Sequence, residues 1–172
     1  MNNCKIACFD VYYYEDYAKA CCVVFENSTR EIIISEYYEI IKPVNEYISG
    51  EFYRRELPCL LKVYGSIKED IDVIIVDSFV MLGDCKKGLG AYLFEALDKK
   101  VPVIGVAKTF FRDCKDYIEV YRGKGNKPLY VSSIGIDLCY SAALIKNLNG
   151  EYRMPDVLKR VDQLSRVEAD EQ

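Results

Sequence analysis

Residues 72–107, DVIIVDSFVMLGDCKKGLGAYLFEALDKKVPVIGVA, are the part of the sequence that decides the predicted fold. They open with 72–77, a continuous apolar run that ends on a carboxylate, as is typical of a strand covered on both faces. Residues 88–99 predict a helix with its leucines on one side, and 102–107 predict a second buried strand. A strand, a helix and a strand in this order form a parallel pair with a right-handed crossover.

The residues before this unit predict an antiparallel meander. Three segments, 4–14, 17–26 and 30–42, are rich in Ile, Val, Tyr, Phe and Cys and are joined by short polar links. Asn27-Ser28-Thr29 has the composition of a tight turn, so the second and third segments are expected to form a hairpin.

A helix is predicted between the meander and the parallel pair. From Leu57 to Tyr64, apolar side chains recur at i, i+3, i+4 and i+7. We expect Pro58 in the first turn, where a missing N–H costs little, and therefore Glu56 at the helix start.

The end of the chain predicts one further hairpin and two helices. The hairpin pairs 117–122 with 128–132 across a polar loop, and the helices span 136–148 and 154–165. The whole order predicts an α/β fold with a mixed sheet of five or more strands, antiparallel first and then parallel, with helices packed on it. Ribonuclease H-like folds have this order, and so do other α/β sandwiches.

The length of 172 residues fits one domain, so we expect a single domain over 1–172, with 167–172 as a disordered tail. The sequence has no histidine, which excludes Ser-His-Asp triads, Cys-His dyads and zinc sites with imidazole ligands. The net charge of −4 argues mildly against nonspecific coating of nucleic acid. It does not argue against a nuclease, because carboxylates that surround divalent cations also count as negative.

The eight cysteines are predicted to be reduced thiols. They form no C-x-x-C pair, and most lie in apolar runs, where free cysteine behaves as a small hydrophobe. The sequence shows no secretory leader pattern and no apolar stretch near the ~20 residues of a membrane span. We expect a monomer in the cytoplasm, or in the nucleus of a eukaryote, without membrane contact.

Three carboxylates are candidates for a metal site. Asp10 interrupts an apolar strand, where a buried carboxylate needs a partner or a cation. Asp77 ends a buried strand at the carboxyl edge of the sheet, and Glu56 can reach the same edge. Oxygen ligands suit Mg²⁺ or Mn²⁺, which can promote phosphodiester hydrolysis. Taken singly, Glu56 and Asp77 are better explained as helix-cap or turn residues, which is the usual role of acidic residues at such positions.

A series of short blocks, in order from about residue 6 to residue 166, resembles the endonuclease V family. The blocks are Phe9-Asp10-Val11-Tyr12-Tyr13, Tyr47-Ile48-Ser49-Gly50 with Arg55-Glu56-Leu57-Pro58, Val76-Asp77, Gly88-Leu89-Gly90-Ala91, Gly105-Val106-Ala107-Lys108, Tyr130-Val131-Ser132 and Tyr152-Arg153-Met154-Pro155. The resemblance implies a ribonuclease H-like fold. It also implies cleavage of DNA or RNA at the second phosphodiester 3′ of inosine with Mg²⁺ or Mn²⁺, leaving 3′-hydroxyl and 5′-phosphate ends.

The resemblance also assigns roles to single residues. It implies that Asp10, Glu56 and Asp77 are catalytic metal-binding carboxylates, and that Asp162 completes the metal site. Lys108 matches a catalytic lysine near the scissile phosphate, where its charge stabilises developing negative charge.

The residues that the resemblance implies in substrate binding lie around the wedge loop and directly after the first buried strand, which ends at Asp77. They are Tyr47, Ser49, Gly50, Arg55, Ser78 and Phe79. Tyr47 matches the wedge tyrosine, whose ring takes the place of an extruded base in the stack. The wedge lacks both family prolines, and Ser78-Phe79-Val80 replaces a glycine-rich turn of the base pocket.

Two other interpretations stay open at this point. A non-catalytic relative that binds nucleic acid or a protein is favoured by the altered base pocket and the negative net charge. A nuclease with the same centre and a different target, such as branched or ordinary single-stranded RNA, is the second.

Overall fold

The structure of the protein is a computed structural model, and it describes residues 3–169. Its strands are β1 (Cys4–Tyr13), β2 (Ala18–Asn27), β3 (Glu31–Ile41), β4 (Val73–Val76), β5 (Val103–Ala107), β6 (Ile118–Val120) and β7 (Leu129–Ile134). Its helices are α1 (Phe52–Tyr64), α2 (Leu89–Ala96), α3 (Leu138–Asn147) and α4 (Asp156–Arg166). Residues 170–172 of the predicted tail lie outside the described residues. Between residues 3 and 169, no helix is long and apolar enough to cross a membrane.

The predicted mixed sheet is confirmed, and it has seven strands in the order β3-β2-β1-β4-β5-β7-β6. The strands β1, β2 and β3 form the predicted antiparallel meander. The strands β1, β4 and β5 are parallel neighbours, as the strand-helix-strand unit predicted. The predicted hairpin of β6 and β7 is antiparallel and adds β7 to the far side of β5.

Each face of the sheet carries its own core. Because strand side chains alternate, Ile6 and Cys8 of β1 face α3 and α4, whereas Ala7 and Phe9 face α1 and α2. All four residues of β4 are buried. This is the arrangement expected for its continuous apolar run, since a strand in the middle of the sheet has helices on both sides.

The predicted start of α1 is wrong. The helix begins at Phe52, so Pro58 lies beyond its first turn and Glu56 is inside the helix rather than at its start. Proline has no N–H to donate to the carbonyl four residues earlier, which belongs to Arg54. The side-chain amide of Asn45 donates to that carbonyl at 3.3 Å, which helps α1 to accommodate the proline.

The buried face of α1 also differs from the predicted stripe. The buried residues are Glu56, Cys59, Leu60 and Val63, whereas Leu57, Leu61 and Tyr64 are half-buried. The periodicity was correct, but the face turned to the sheet is displaced by one residue. A carboxylate therefore stands on the buried side of this helix.

The helix α2 ends at Ala96, three residues before the predicted end at 99. Asp98 and Lys99 have φ angles of 56° and 58°, and this left-handed backbone stops the helix. The chain then enters β5 directly.

Gly105 in β5 allows the segment after β4 to cross close to the sheet. An added Cβ would lie 2.7 Å from the Ser132 hydroxyl and even closer to the Ser78 carbonyl oxygen. Above it, the Val80 N–H donates to the Ser132 hydroxyl at 3.0 Å. Gly105 thus fixes the path of residues 78–80, immediately after Asp77.

We expect Gly105→Ala to lower the free energy of unfolding by about 3 kcal/mol, because the new methyl group overlaps fixed backbone atoms. Urea unfolding followed by circular dichroism measures this change. Gly125→Ala is the matched control, because a Cβ there meets nothing within 4 Å, and we expect about 0.5 kcal/mol or less. Equal stability of the two variants would contradict the close crossing.

Candidate active site

The parallel pairing of β1 with β4 brings two of the predicted carboxylates together. In this register, Cys8 is the partner of Ile75. Two residues further along both strands, Asp10 and Asp77 are therefore neighbours at the carboxyl edge of the sheet. The strand β4 ends at Val76, whereas β1 continues to Tyr13. The flank of Asp10 is thus open to side chains from both faces of the sheet.

Asp10 points to the face covered by α4. The Ser165 hydroxyl of α4 donates to Asp10 Oδ2 at 2.7 Å. Burial raises the pKa of Asp10 to about 6, and the charges of Asp162 and Asp77 also raise it, while the bond from Ser165 lowers it. The carboxylates of Asp162 and Asp77 are therefore close enough to Asp10 to affect its ionisation.

Glu56 approaches the same edge from the opposite face. It is only 7% exposed, and the Tyr13 hydroxyl donates to its Oε2 at 3.2 Å. Burial and the charges of Asp10 and Asp77 together raise the pKa of Glu56 to about 8, against the lowering effect of the Tyr13 bond. Glu56 is thus electrostatically coupled to both aspartates.

Lys108 places a cation beside Asp77. It directly follows β5, and its Nζ lies 3.1 Å from Asp77 Oδ2. Both side chains remain accessible to solvent. Because the pair is exposed, it contributes little to stability, and the lysine is free to turn to a bound anion.

A small cavity joins three of the carboxylates to Lys108, and Glu56 is not among the residues that line it. Its volume is about 20 Å³, the space of a single water molecule or ion. Its polar walls are Asp10, Asp77, Lys108 and Asp162, and its apolar walls include Phe9, Val106, Met154 and Leu158. The carboxylate of Asp162 also accepts from Arg166 Nε at 3.0 Å.

The side chains fit a divalent cation by their chemistry, although they are not arranged as a ligand set. Among residues 3–169, no three Cys, Asp or Glu side chains form a metal-binding group as they stand. The carboxylates of Asp10, Glu56 and Asp77 are instead each paired with a donor of their own. Burial, together with the neighbouring negative charges, raises the pKa values of Asp10 and Glu56, so their ionised forms are disfavoured without further positive charge. A divalent cation supplies such a charge, and an oxygen-only donor set suits Mg²⁺ or Mn²⁺.

The sequence analysis did not single out three residues that support this edge. Ser165 donates a hydrogen bond to Asp10, and Tyr13 donates one to Glu56. The i, i+3 spacing of Asp162 and Ser165, which places both on one side of α4, could have indicated Ser165 from the sequence. Arg153 donates from Nη2 to the Lys108 carbonyl and, at 2.6 Å, to the Pro128 carbonyl. It therefore fixes the backbone from which Lys108 projects.

The predicted wedge residues lie in the loop before α1. Tyr47 is an exposed aromatic residue, and Ser49 and Gly50 line an open groove of about 390 Å³. The opposite wall of this groove includes Lys86 and Lys87. The loop and groove are accessible to a strand of nucleic acid.

Arg55 and Ser78 lie closer to the protein interior. The guanidinium carbon of Arg55 is 3.6 Å from the Tyr13 ring centroid, and its Nε is buried without a hydrogen-bond partner. Ser78 is half-buried, and its hydroxyl donates to the Phe79 carbonyl at 3.3 Å.

The structure does not place Phe79 on a substrate surface, contrary to the prediction. Its side chain is 4% exposed and packs with Ala107 and Cys114. The close crossing over Gly105 turns residue 79 inwards, so the ring supports the rim of the site instead of lining it.

The comparisons with known proteins agree with this geometry. The family model "Endonuclease V" matches residues 2–122. The chain belongs to the endonuclease V family. An endonuclease V of Dictyoglomus thermophilum is 30% identical over 167 residues, covering 84% of this chain and 71% of that protein. One of Clostridium acetobutylicum is 27% identical over 175 residues, covering 86% and 72%.

Solved structures of the same family confirm the ribonuclease H-like fold. The Streptomyces avermitilis endonuclease V superposes with a TM-score of 0.83 at 23% identity, over 94% of this chain and 79% of that chain. The Ciona intestinalis endonuclease V, crystallised with a 24-mer DNA containing an inosine followed by a ribo-adenosine, gives 0.81 at 19% identity, over 96% and 85%. This endonuclease V-like chain is accordingly a phosphodiester hydrolase, a nuclease by family.

We expect the protein without metal to lose stability as the pH rises from 5 to 8. The pKa values of Asp10 and Glu56 are raised on folding, so their protonated forms favour the fold. This contribution to stability is complete when the pH is below the pKa values that the two groups have in the unfolded chain. It is lost as the pH rises through the folded pKa values of about 6 and about 8. Glu56→Gln cannot ionise, and its Tm in EDTA should fall less over this range. Parallel curves for the two proteins would contradict a raised Glu56 pKa.

Proposed function

We propose that this protein is a metal-dependent endonuclease that hydrolyses a phosphodiester bond 3′ to inosine or deoxyinosine in RNA or DNA. The products are a 3′-hydroxyl and a 5′-phosphate. The observation that carries the proposal is the meeting of Asp10, Glu56, Asp77 and Asp162 at one sheet edge, with Lys108 beside them.

The four carboxylates are proposed as the metal-binding residues. Asp10, Glu56 and Asp77 would hold Mg²⁺ or Mn²⁺, and Asp162 would complete the site from α4. When bound, such ions lower the pKa of water and stabilise the charge on a leaving oxygen. Ser165 and Tyr13 keep two of these carboxylates oriented by single hydrogen bonds.

Lys108 is proposed as the catalytic cation. Its amine reaches the carboxyl edge from β5, and its only ion pair in the described chain is the exposed one with Asp77. A phosphate at this edge would attract the amine, which then stabilises negative charge as it develops on the phosphate oxygens. Arg153 acts through Lys108 by holding its carbonyl.

An unpaired strand is the proposed substrate form. Tyr47 projects from the wedge loop and would stack where a base has left the helix, and Ser49 and Gly50 would contact the backbone of that strand. Arg55 and Ser78 are proposed to bind the substrate further inside, next to the wedge loop and groove. The inosine-containing DNA bound by the Ciona protein supports an inosine-containing nucleic acid as the ligand.

A nuclease with the same centre and a different target is the second candidate. The burial of Phe79 and Val80 favours it, because these side chains fill space that a glycine-rich turn leaves open. Cleavage of strands without inosine would distinguish this candidate from the first.

We further propose that residues 1–172 work as one domain and as a monomer, in the cytoplasm or in the nucleus of a eukaryote. All eight cysteines are free thiols, and two of them, Cys85 and Cys139, are exposed. Exposed free thiols are usual in reducing compartments.

We expect Asp10→Asn and Asp77→Asn each to lower cleavage by about a thousandfold, because each removes a charge that the metal site needs. The assay uses end-labelled single-stranded RNA and DNA, with and without one inosine, in Mg²⁺ and in Mn²⁺. Asp72→Asn is the matched control at the opposite end of β4, where Asp72 accepts from the Lys5 N–H, and it should leave cleavage unchanged.

Cleavage at the second phosphodiester 3′ of inosine, lost in both variants, would support the proposal. Undiminished cleavage by Asp10→Asn would refute the metal site. If the folded wild-type protein binds the strands and cuts none of them, the function is that of a non-catalytic relative.

We expect Arg153→Lys to lower kcat about tenfold at unchanged KM. Lysine cannot bridge the Lys108 and Pro128 carbonyls, so the backbone that positions the Lys108 amine is no longer held in place. Steady-state cleavage kinetics measure both constants. Arg160→Lys is the control, because Arg160 also makes a bidentate contact, with Glu36 away from the site. This variant should leave kcat unchanged. A rise in KM with constant kcat in Arg153→Lys would contradict the positioning role.

A further inference from the structure

A cluster of aromatic rings adjoins Lys108 on the side away from the carboxylates. We call it the aromatic rim, and its members are Phe79, Phe110, Phe111, Tyr117 and Tyr130. Tyr130 pairs with Ala107 in the sheet, so the rim begins one residue before Lys108. Phe110 follows Lys108 by two residues, which span at most about 7 Å between Cα atoms.

The rim presents an exposed ring on an anchored turn. Phe110 is 51% exposed although it is large and apolar. The turn is fixed by the Cys114 N–H, which donates to the Phe111 carbonyl at 3.1 Å, and by the buried Cys114 thiol, which donates to the Met81 carbonyl at 3.3 Å. An apolar ring held in solvent by a fixed turn forgoes the stabilisation of burial, which is typical of a binding surface.

The ring neighbours of Phe110 contact it at steep angles. Tyr117 meets it at an interplanar angle of 72° with centroids 6.1 Å apart, and Tyr130 at 52° with centroids 5.8 Å apart. Neither ring stacks in parallel on Phe110. Because half of the Phe110 side chain is exposed and neither tyrosine is stacked on it, a planar base can stack there.

We propose that Phe110 is a stacking site for an unpaired nucleobase of the substrate strand, adjacent to the phosphate that Lys108 contacts. The inference rests on the proposed function for the position of the strand. Stacking accepts every base because each has a π face, so the site holds the strand without reading its sequence. It favours a single-stranded substrate, since a paired base in a duplex already stacks on its neighbours.

The test uses single-stranded DNA and RNA oligonucleotides that carry one inosine and one 2-aminopurine, which is moved through successive positions. Each oligonucleotide is titrated with wild-type protein in EDTA and with the Asp10→Asn protein in Mg²⁺. The fluorescence of 2-aminopurine is recorded in both titrations. We expect a fluorescence change at one or two adjacent positions with these proteins. Phe110→Ala, tested alone in EDTA and combined with Asp10→Asn in Mg²⁺, should lose this change and bind about tenfold more weakly. Phe110→Trp should retain both.

Tyr140→Ala is the matched control. Its ring is 52% exposed on α3, which begins after β7 at the sheet edge opposite Lys108, and its loss should change neither the fluorescence nor the affinity. In cleavage assays Phe110→Ala should raise KM about tenfold with kcat nearly unchanged, because a stacked base contributes uniform binding.

An unchanged fluorescence pattern and affinity in Phe110→Ala would overturn the stacking site. The outcome is separable from that of the proposed function. Binding that depends on Phe110 without any cleavage by the wild-type protein would leave the stacking site standing and remove the chemistry. Cleavage with equal KM in wild-type and Phe110→Ala protein would leave the proposed chemistry standing and overturn the stacking site. Failure of every oligonucleotide to bind would overturn both.

Discussion

The parallel register between β1 and β4 is the constraint on which the site depends. It sets Asp10 beside Asp77, and because β4 stops at Val76 while β1 continues, the flank of Asp10 lies open. Glu56 reaches the opening from one face of the sheet and Asp162 from the other.

The gathering of these carboxylates opposes stability. Burial and mutual repulsion raise the pKa values of Asp10 and Glu56, so each folds most favourably in its protonated form. The sheet tolerates this cost because its apolar core extends over both faces and covers β4 completely. A site that is unfavourable for the metal-free fold is favourable for a cation, since the same negative charge that destabilises the protein attracts the ion.

The end of β5 organises the other half of the site. Gly105 lets the chain after Asp77 cross closely, Lys108 projects to the carboxylates, and the next turn carries Phe110. Arg153 joins this strand end to the segment that leads into α4. The residues proposed to contact the phosphate and the base are thereby fixed to one piece of backbone.

The sequence by itself determined the elements, their order and most of the candidate residues. Hydrophobic periodicity, and carboxylates within or at the end of apolar runs, are local properties of the chain. It placed the start of α1 wrongly, since nothing local shows that Asn45 compensates for Pro58. Only the tertiary structure decided that Glu56 is buried, that Phe79 turns inwards and that Arg153 holds Lys108. These facts depend on strand register and helix placement, which are set by the packing of the whole chain and not by any one segment.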